Sequence, residues 1–135
     1  MPSSIGIRRE DKSKWERRTP ITPTHVRELQ EEHSIEVCVQ PSEIRVFSNE
    51  AFREAGARMV EDLSQCPVVL AIKEIPADVF VSGSTYVFFA HVIKGQPYNM
   101  PMLQALLDKG CQLIDYEKVT DEQGRRLIFF GRHAG

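Results

Sequence analysis

The sequence predicts an α/β domain of Rossmann-like (flavodoxin-like) type, three layers deep, with a largely parallel sheet. Strand-like runs alternate with helical ones along the whole chain, the order that gives a sheet flanked by helices. Residues 68–72 and 85–90 are continuous stretches rich in β-branched and aromatic side chains, as in strands covered on both faces. The chain has 135 residues, 41% hydrophobic and 27% charged, which suits one globular unit spanning 1–135.

The elements follow in order. Residues 5–8 read as the first strand, and 11–22 as a charged loop. Thr22-Pro23 starts a helix, with Thr22 as its cap and Pro23 in its first turn, and Val26 and Leu29 begin the apolar face. Ile35, Val37 and Val39 alternate with Glu36 and Cys38, a strand of period two that Pro41-Ser42 ends. Ser48 caps a short helix carrying Ala51, Phe52 and Ala55, which Gly56 closes. Residues 59–63 fit neither pattern. Residues 68–72 and 85–90 are strands, 99–109 a helix with Met102, Leu103, Leu106 and Leu107 inward, and 112–115 a short strand. A turn at 121–124 leads to a last strand at 126–130.

Composition narrows the function classes. The net charge of −2 lacks the basic excess of a nucleic-acid binder. No apolar run approaches the ~20 residues of a membrane span. The opening Met1-Pro2-Ser3-Ser4 lacks the apolar region of a secretory signal. Cys38, Cys66 and Cys111 are odd in number and widely spaced, so free thiols in a reducing cytoplasm are expected rather than disulfides or zinc. The histidines show no metal spacing. The chain carries no G-x-G-x-x-G, P-loop or G-x-S-x-G, and hence no motif of its own for a dinucleotide.

In parallel sheets ligands bind beyond the carboxyl ends of the strands, where Lys73 and His91 fall. Partial burial makes a lysine a usable proton carrier near neutrality, and histidine is a common acid/base group. The alternatives are a surface lysine paired with Glu74 and a structural histidine. Arg17-Arg18 and Arg125-Arg126 read either as carboxylate-binding forks or as solvated charge. Asp115-Tyr116-Glu117 ends a strand, and either adds a carboxylate to a cleft or pairs with a basic neighbour.

Several stretches together resemble one family. They are Ile7-Arg8-Arg9-Glu10-Asp11, the run from Trp15 through Thr22-Pro23, Gln40-Pro41-Ser42, Ile72-Lys73-Glu74-Ile75-Pro76 and the run from Phe88 through Gln96. Leu113-Ile114-Asp115-Tyr116-Glu117, Gly124-Arg125-Arg126, Phe130-Gly131 and Ala134-Gly135 continue the series. In order and spacing the set resembles the amino-terminal part of lysine–2-oxoglutarate reductase and lysine-forming saccharopine dehydrogenase, within the alanine dehydrogenase/transhydrogenase superfamily. The resemblance implies a substrate-binding domain of an oxidoreductase acting on CH–NH bonds, which forms saccharopine from an amino acid, lysine, and a 2-oxo acid, 2-oxoglutarate.

By this resemblance Lys73 and His91 form the acid/base pair, and Arg18 binds a substrate carboxylate. Gln96, Arg126 and Phe130 line the substrate site, and Arg125 approaches the nucleotide. NAD(P) is expected for the complete enzyme. In the family an NAD(P)-binding Rossmann domain follows the position of Gly135, so this chain alone is expected to lack that domain and to be inactive. An apolar face left uncovered would favour a homodimer. Competing readings are an alanine dehydrogenase-like domain and a stand-alone, non-catalytic binding domain.

Overall fold

The structure, a computed structural model, describes residues 3–91, 95 and 97–128. Six strands form one wholly parallel sheet: β1 (Ser3–Ile7), β2 (Ile35–Val39), β3 (Arg58–Met59), β4 (Val68–Leu70), β5 (Thr85–Phe88) and β6 (Gln112–Asp115). Three α-helices accompany them: α1 (Pro23–His33), α2 (Asn49–Glu54) and α3 (Met100–Asp108). The strand order is β3-β2-β1-β4-β5-β6, the doubly wound Rossmann order. Without the two-residue β3, which takes in only Met59 of the ambiguous stretch 59–63, the order reduces to the flavodoxin one. In both descriptions the winding reverses between β1 and β4.

The alternation of side chains builds the three layers. Ile7, Val37 and Val39 point to one face, where Val26 of α1 and Phe52 of α2 cover them. Cys38, Val69, Tyr86 and Phe88 point to the other, against Met102 and Leu106 of α3. A Cβ at Gly6 of β1 would crowd this packing, lying 3.1 Å from Leu63 Cδ2 and 3.3 Å from Cys66 Sγ. Cys38, Cys66 and Cys111 are free, and burial pushes the Cys66 thiol up to about 11.

Local signals act as the sequence reading expects at both early helices. The Thr22 hydroxyl accepts from the His25 amide at 3.3 Å, and His25 Nδ1 accepts from the Thr22 amide at 3.0 Å, a reciprocal cap with histidine in the usual glutamate position. Ser48 Oγ accepts from the Ala51 amide at 3.0 Å.

Two expectations need correction. Leu107 is not an inner residue of α3: it is 66% exposed, while Met102 and Leu106 are buried. Those two are four apart and share a face, and Leu107 lies about 100° round the helix from Leu106. Nor do residues 126–128 begin a strand of the sheet. Arg126 bridges antiparallel to Thr120, and the Leu127 amide donates to the Val119 carbonyl at 2.9 Å. Asp121 Oδ1 accepts from the Gln123 and Arg125 amides, each at 2.9 Å. This folds the segment back on residues 119–120 instead of extending the sheet beyond β6. Residues 129–130 lie outside the described set.

Candidate active site at the carboxyl edge of the sheet

The carboxyl ends of β1, β4, β5 and β6 deliver a concentrated set of polar groups. After β1 come Arg8 and Glu10, both buried. Arg8 Nη2 donates to Asp11 Oδ2 at 2.7 Å, and Nη1 to the Arg9 carbonyl at 2.9 Å. After β4 the chain bends at Ile72 and Lys73, and both amides turn onto one carboxylate. Ile72 N–H donates to Glu10 Oε2 at 3.0 Å, and Lys73 N–H to Glu10 Oε1 at 2.8 Å. Burial pushes the Glu10 carboxyl above its ordinary value, and these two amides and Arg8 oppose the rise.

Lys73 is half-buried and lines a cleft of about 370 Å³ with Ser13, Trp15, Glu16 and Arg18. Among the described residues no hydrogen bond engages its ammonium. Arg18 grips Glu16 through Nε to Oε2 at 2.9 Å and Nη2 to Oε1 at 2.5 Å. That hydrogen bond holds the Glu16 carboxyl below its usual range, and the Lys73 charge adds a smaller pull in the same direction.

His91 ends the next strand over, with a left-handed backbone at φ 54°. The buried Asn99 fixes this turn: its Nδ2 donates to the Ala90 carbonyl at 3.0 Å and the His91 carbonyl at 3.1 Å, and reaches Glu74 Oε1 at 3.4 Å. The His91 imidazole Nδ1 lies 3.3 Å from Glu117 Oε1, just past β6. Of Asp115-Tyr116-Glu117, Glu117 therefore supplies the carboxylate, while Asp115 Oδ1 accepts the Glu117 amide at 3.0 Å. A second cleft of about 370 Å³, lined by Asp11, Lys12, Glu74, Tyr98 and Asn99 among others, lies on the other side of the Lys73-Glu74 segment.

The structure thus gathers Arg18, Lys73 and His91 at one edge, on the loop after β1 and on adjacent strands. Arg125 and Arg126 stand apart from the Arg18–Lys73 cleft. Arg125 Nε binds Asp121 Oδ2 at 2.7 Å on an exposed turn, and Arg126 Nη2 donates to the Ile128 carbonyl at 3.2 Å. Gln96 and Phe130 lie outside the described residues. Sequence reasoning overlooked Glu10, Glu16, Arg45 and Asn99 as site residues. The first two are hidden in charge runs that look solvated, and Asn99 was read only as a helix start. Among the described residues no cluster of three or more His, Cys, Asp or Glu side chains could hold a metal ion. No described helix is long and apolar enough to cross a membrane.

Comparison with known proteins agrees with this architecture. The profile of the family described as alanine dehydrogenase/PNT, N-terminal domain, matches residues 6–135. The alpha-aminoadipic semialdehyde synthase of Rattus norvegicus, whose name adds "mitochondrial", is 37% identical over 131 residues, 97% of this chain. The Arabidopsis thaliana protein of that name is 37% identical over 136 residues, again 97% of the chain. The saccharopine dehydrogenase [NAD(+), L-lysine-forming] of Yarrowia lipolytica is 32% identical over 139 residues, 99% of the chain. The chain spans 14% of the rat protein's length, 13% of the Arabidopsis one and 37% of the Yarrowia one.

Among solved structures, an L-alanine dehydrogenase superposes with a TM-score of 0.73 at 21% identity, over 90% of this chain and 34% of that one. A transhydrogenase from Sinorhizobium meliloti gives 0.69 at 18% identity, over 85% of this chain and 35% of that one. These likenesses confirm the Rossmann-like fold. With the family profile running from Gly6 to the last residue, the chain belongs to the alanine dehydrogenase/PNT N-terminal domain family and is related to the saccharopine dehydrogenases.

Proposed function

We propose that residues 1–135 form the substrate-binding and proton-transfer domain of an NAD(P)-dependent amino-acid oxidoreductase. Its reaction is the reductive condensation of lysine with 2-oxoglutarate to saccharopine. The observation that carries this reading is the placement of Lys73, free of hydrogen bonds to its ammonium among the described residues, in a cleft with Arg18, one strand from His91. Relatives named for lysine-forming saccharopine dehydrogenation support the substrate class.

The chemistry fits the groups. Condensation of an amine with a ketone passes through a carbinolamine, and loss of water needs a proton delivered to its hydroxyl and another removed from nitrogen. Lys73 and His91 supply those transfers, and Glu117 orients the imidazole. Arg18 takes a substrate carboxylate in exchange for Glu16, and Gln96, Arg126 and Phe130 complete the substrate site in this reading. Charged groups of both signs line the two clefts beside Lys73 and Glu74, Glu16 and Arg18 in one and Asp11, Lys12 and Glu74 in the other. Each volume lies within the roughly 300–1,000 Å³ of small-molecule sites.

The described residues do not fit a dinucleotide at the usual place. In this strand order the glycine-rich turn follows β1 and offers amides to the pyrophosphate. Here Arg8-Arg9-Glu10-Asp11 follows β1, and the Glu10 carboxylate already takes the neighbouring amides. In our reading the nucleotide is held by a domain outside residues 1–135, with Arg125 approaching it, and the chain alone turns nothing over.

The free thiols favour a reducing compartment, and we place the protein in the cytoplasm. Ile114, Leu127 and Ile128, exposed on or after the edge strand β6, are the residues through which a homodimer would form.

Isothermal titration of the chain tests the substrate assignment. Saccharopine is expected to bind weakly, more tightly than lysine, 2-oxoglutarate or pyruvate alone, and Arg18→Ala is expected to weaken it at least tenfold. Tighter binding of pyruvate would instead mark an alanine dehydrogenase-like domain. Absence of binding by all four to a folded chain would favour a non-catalytic role.

A further inference from the structure

The parallel ladder between β1 and β4 stops at the hydrogen bond from the Arg8 amide to the Leu70 carbonyl, 3.0 Å. On the other side, β4 stays tied to β5 slightly longer, through Ala71 N–H to the Val87 carbonyl at 2.9 Å and Phe89 N–H to the Ile72 carbonyl at 3.0 Å. The amides of Ile72 and Lys73 are thus the first on β4 without a backbone acceptor. They sit at the point where the sheet reverses its winding. A buried amide without an acceptor is costly, so something must cap them, and Glu10 does, one oxygen to each.

The cap is itself buried and needs its charge. A neutral carboxyl carries a proton on one oxygen and would present it to one of the two amides. The charged and titratable groups that act with Glu10 are Arg8, Arg18 and Arg45 on the cationic side, with Glu16 and the Tyr116 hydroxyl opposing. Arg45 is the least expected of them. It is 7% exposed, packs its guanidinium 5.4 Å from the centre of the Phe52 ring, and its Nη1 and Nη2 have no hydrogen-bond partner among the described residues. A buried guanidinium without hydrogen bonds is costly. The attraction between its charge and that of Glu10 offsets part of this cost.

We infer that Glu10 is the positioning residue for Lys73: its carboxylate, attracted by the charges of the buried Arg8 and Arg45, caps the two amides beyond β4 and fixes the backbone from which Lys73 reaches the cleft. The significance of the clamp for proton transfer rests on the reading of Lys73 given above. The clamp itself does not, so the two fail separately.

Amide NMR on the chain without ligand tests it. In Glu10→Gln the Ile72 and Lys73 amides are expected to lose at least tenfold in hydrogen-exchange protection, while Ala71 and Phe89 keep theirs and so report an intact sheet. In the wild type the Ile72 and Lys73 amide shifts should move together as acid protonates Glu10, and in Glu10→Gln this step should vanish. Arg45→Met removes a cation that favours the carboxylate, so the midpoint of the shared step should rise by half a pH unit or more. Unchanged protection in Glu10→Gln, or two amides that titrate apart, would overturn the clamp. Should Glu10→Gln fail to fold, the Arg45→Met midpoint decides, and no upward move would overturn the part given to Arg45. Failure of saccharopine to bind in the titration above would instead strike the functional reading and leave the clamp standing.

Discussion

Lys73→Met is expected to lower saccharopine formation by the complete enzyme by about 10²–10⁴-fold, the range for loss of a general acid/base. Methionine keeps the length and apolar stem of lysine but moves no proton. Glu10 binds the backbone of residue 73 and not its side chain, so the clamp survives the change. The unfolding midpoint should therefore shift by no more than a few degrees. The measurement is steady-state turnover beside thermal unfolding of the same preparations. Retention of more than a tenth of wild-type turnover would remove Lys73 from the chemistry. A collapse of stability instead would mean that its role is structural.

Phe88→Ala is expected to have the opposite profile. Phe88 is fully buried in β5, packed between Val69 and Tyr86 on the sheet and Met102 and Leu106 of α3. Removing such a ring typically costs about 3–5 kcal/mol, part transfer free energy and part residual cavity. A domain of this size holds roughly 5–15 kcal/mol in all, so the variant should unfold at a much lower urea concentration. Because β5 also carries His91 at its carboxyl end, ligand binding should fall in proportion to the unfolded fraction and return when low temperature or sucrose restores the fold. A loss below about 1 kcal/mol would mean that α3 does not pack on the sheet as described.

The contrast between these variants follows how the sequence encodes the two layers of information. The scaffold was legible because its signals are local. Thr22-Pro23 and Ser48 cap their helices, and alternation gives the two faces of β2. Continuous apolar runs mark β4 and β5 as central strands. The ends of elements were less legible. Leu107 looked inward because it is apolar, but a helix of nine residues presents a narrow buried stripe. The turn at 121–124 is legible and forms, but residues 126–128 pair back on 119–120 instead of adding a strand to the sheet.

The site divides in the same way. Lys73 and His91 could be placed from the sequence because each follows directly on an apolar strand. Glu10 could not, because Arg8-Arg9-Glu10-Asp11 has the composition of a solvated loop. Its burial depends on β4, more than sixty residues away. Arg45 sits in a stretch without periodicity between Pro41 and Ser48, and only the tertiary fold buries it against Phe52. Asn99 shows the same limit: its side chain looked like a helix start, and its contact is with the turn at His91.

On the function proposed above, the carboxyl edge around Lys73, His91 and Arg18 receives a saccharopine-like ligand. Amide shift mapping during a saccharopine titration of the chain tests it most directly. The account predicts perturbations at Arg18, Lys73, Glu74 and His91, with residues at the amino ends of the strands, such as Ser3, Ile35 and Thr85, unmoved, and loss of the pattern in Arg18→Ala. Perturbations centred away from this edge, or a pattern unchanged by Arg18→Ala, would contradict it.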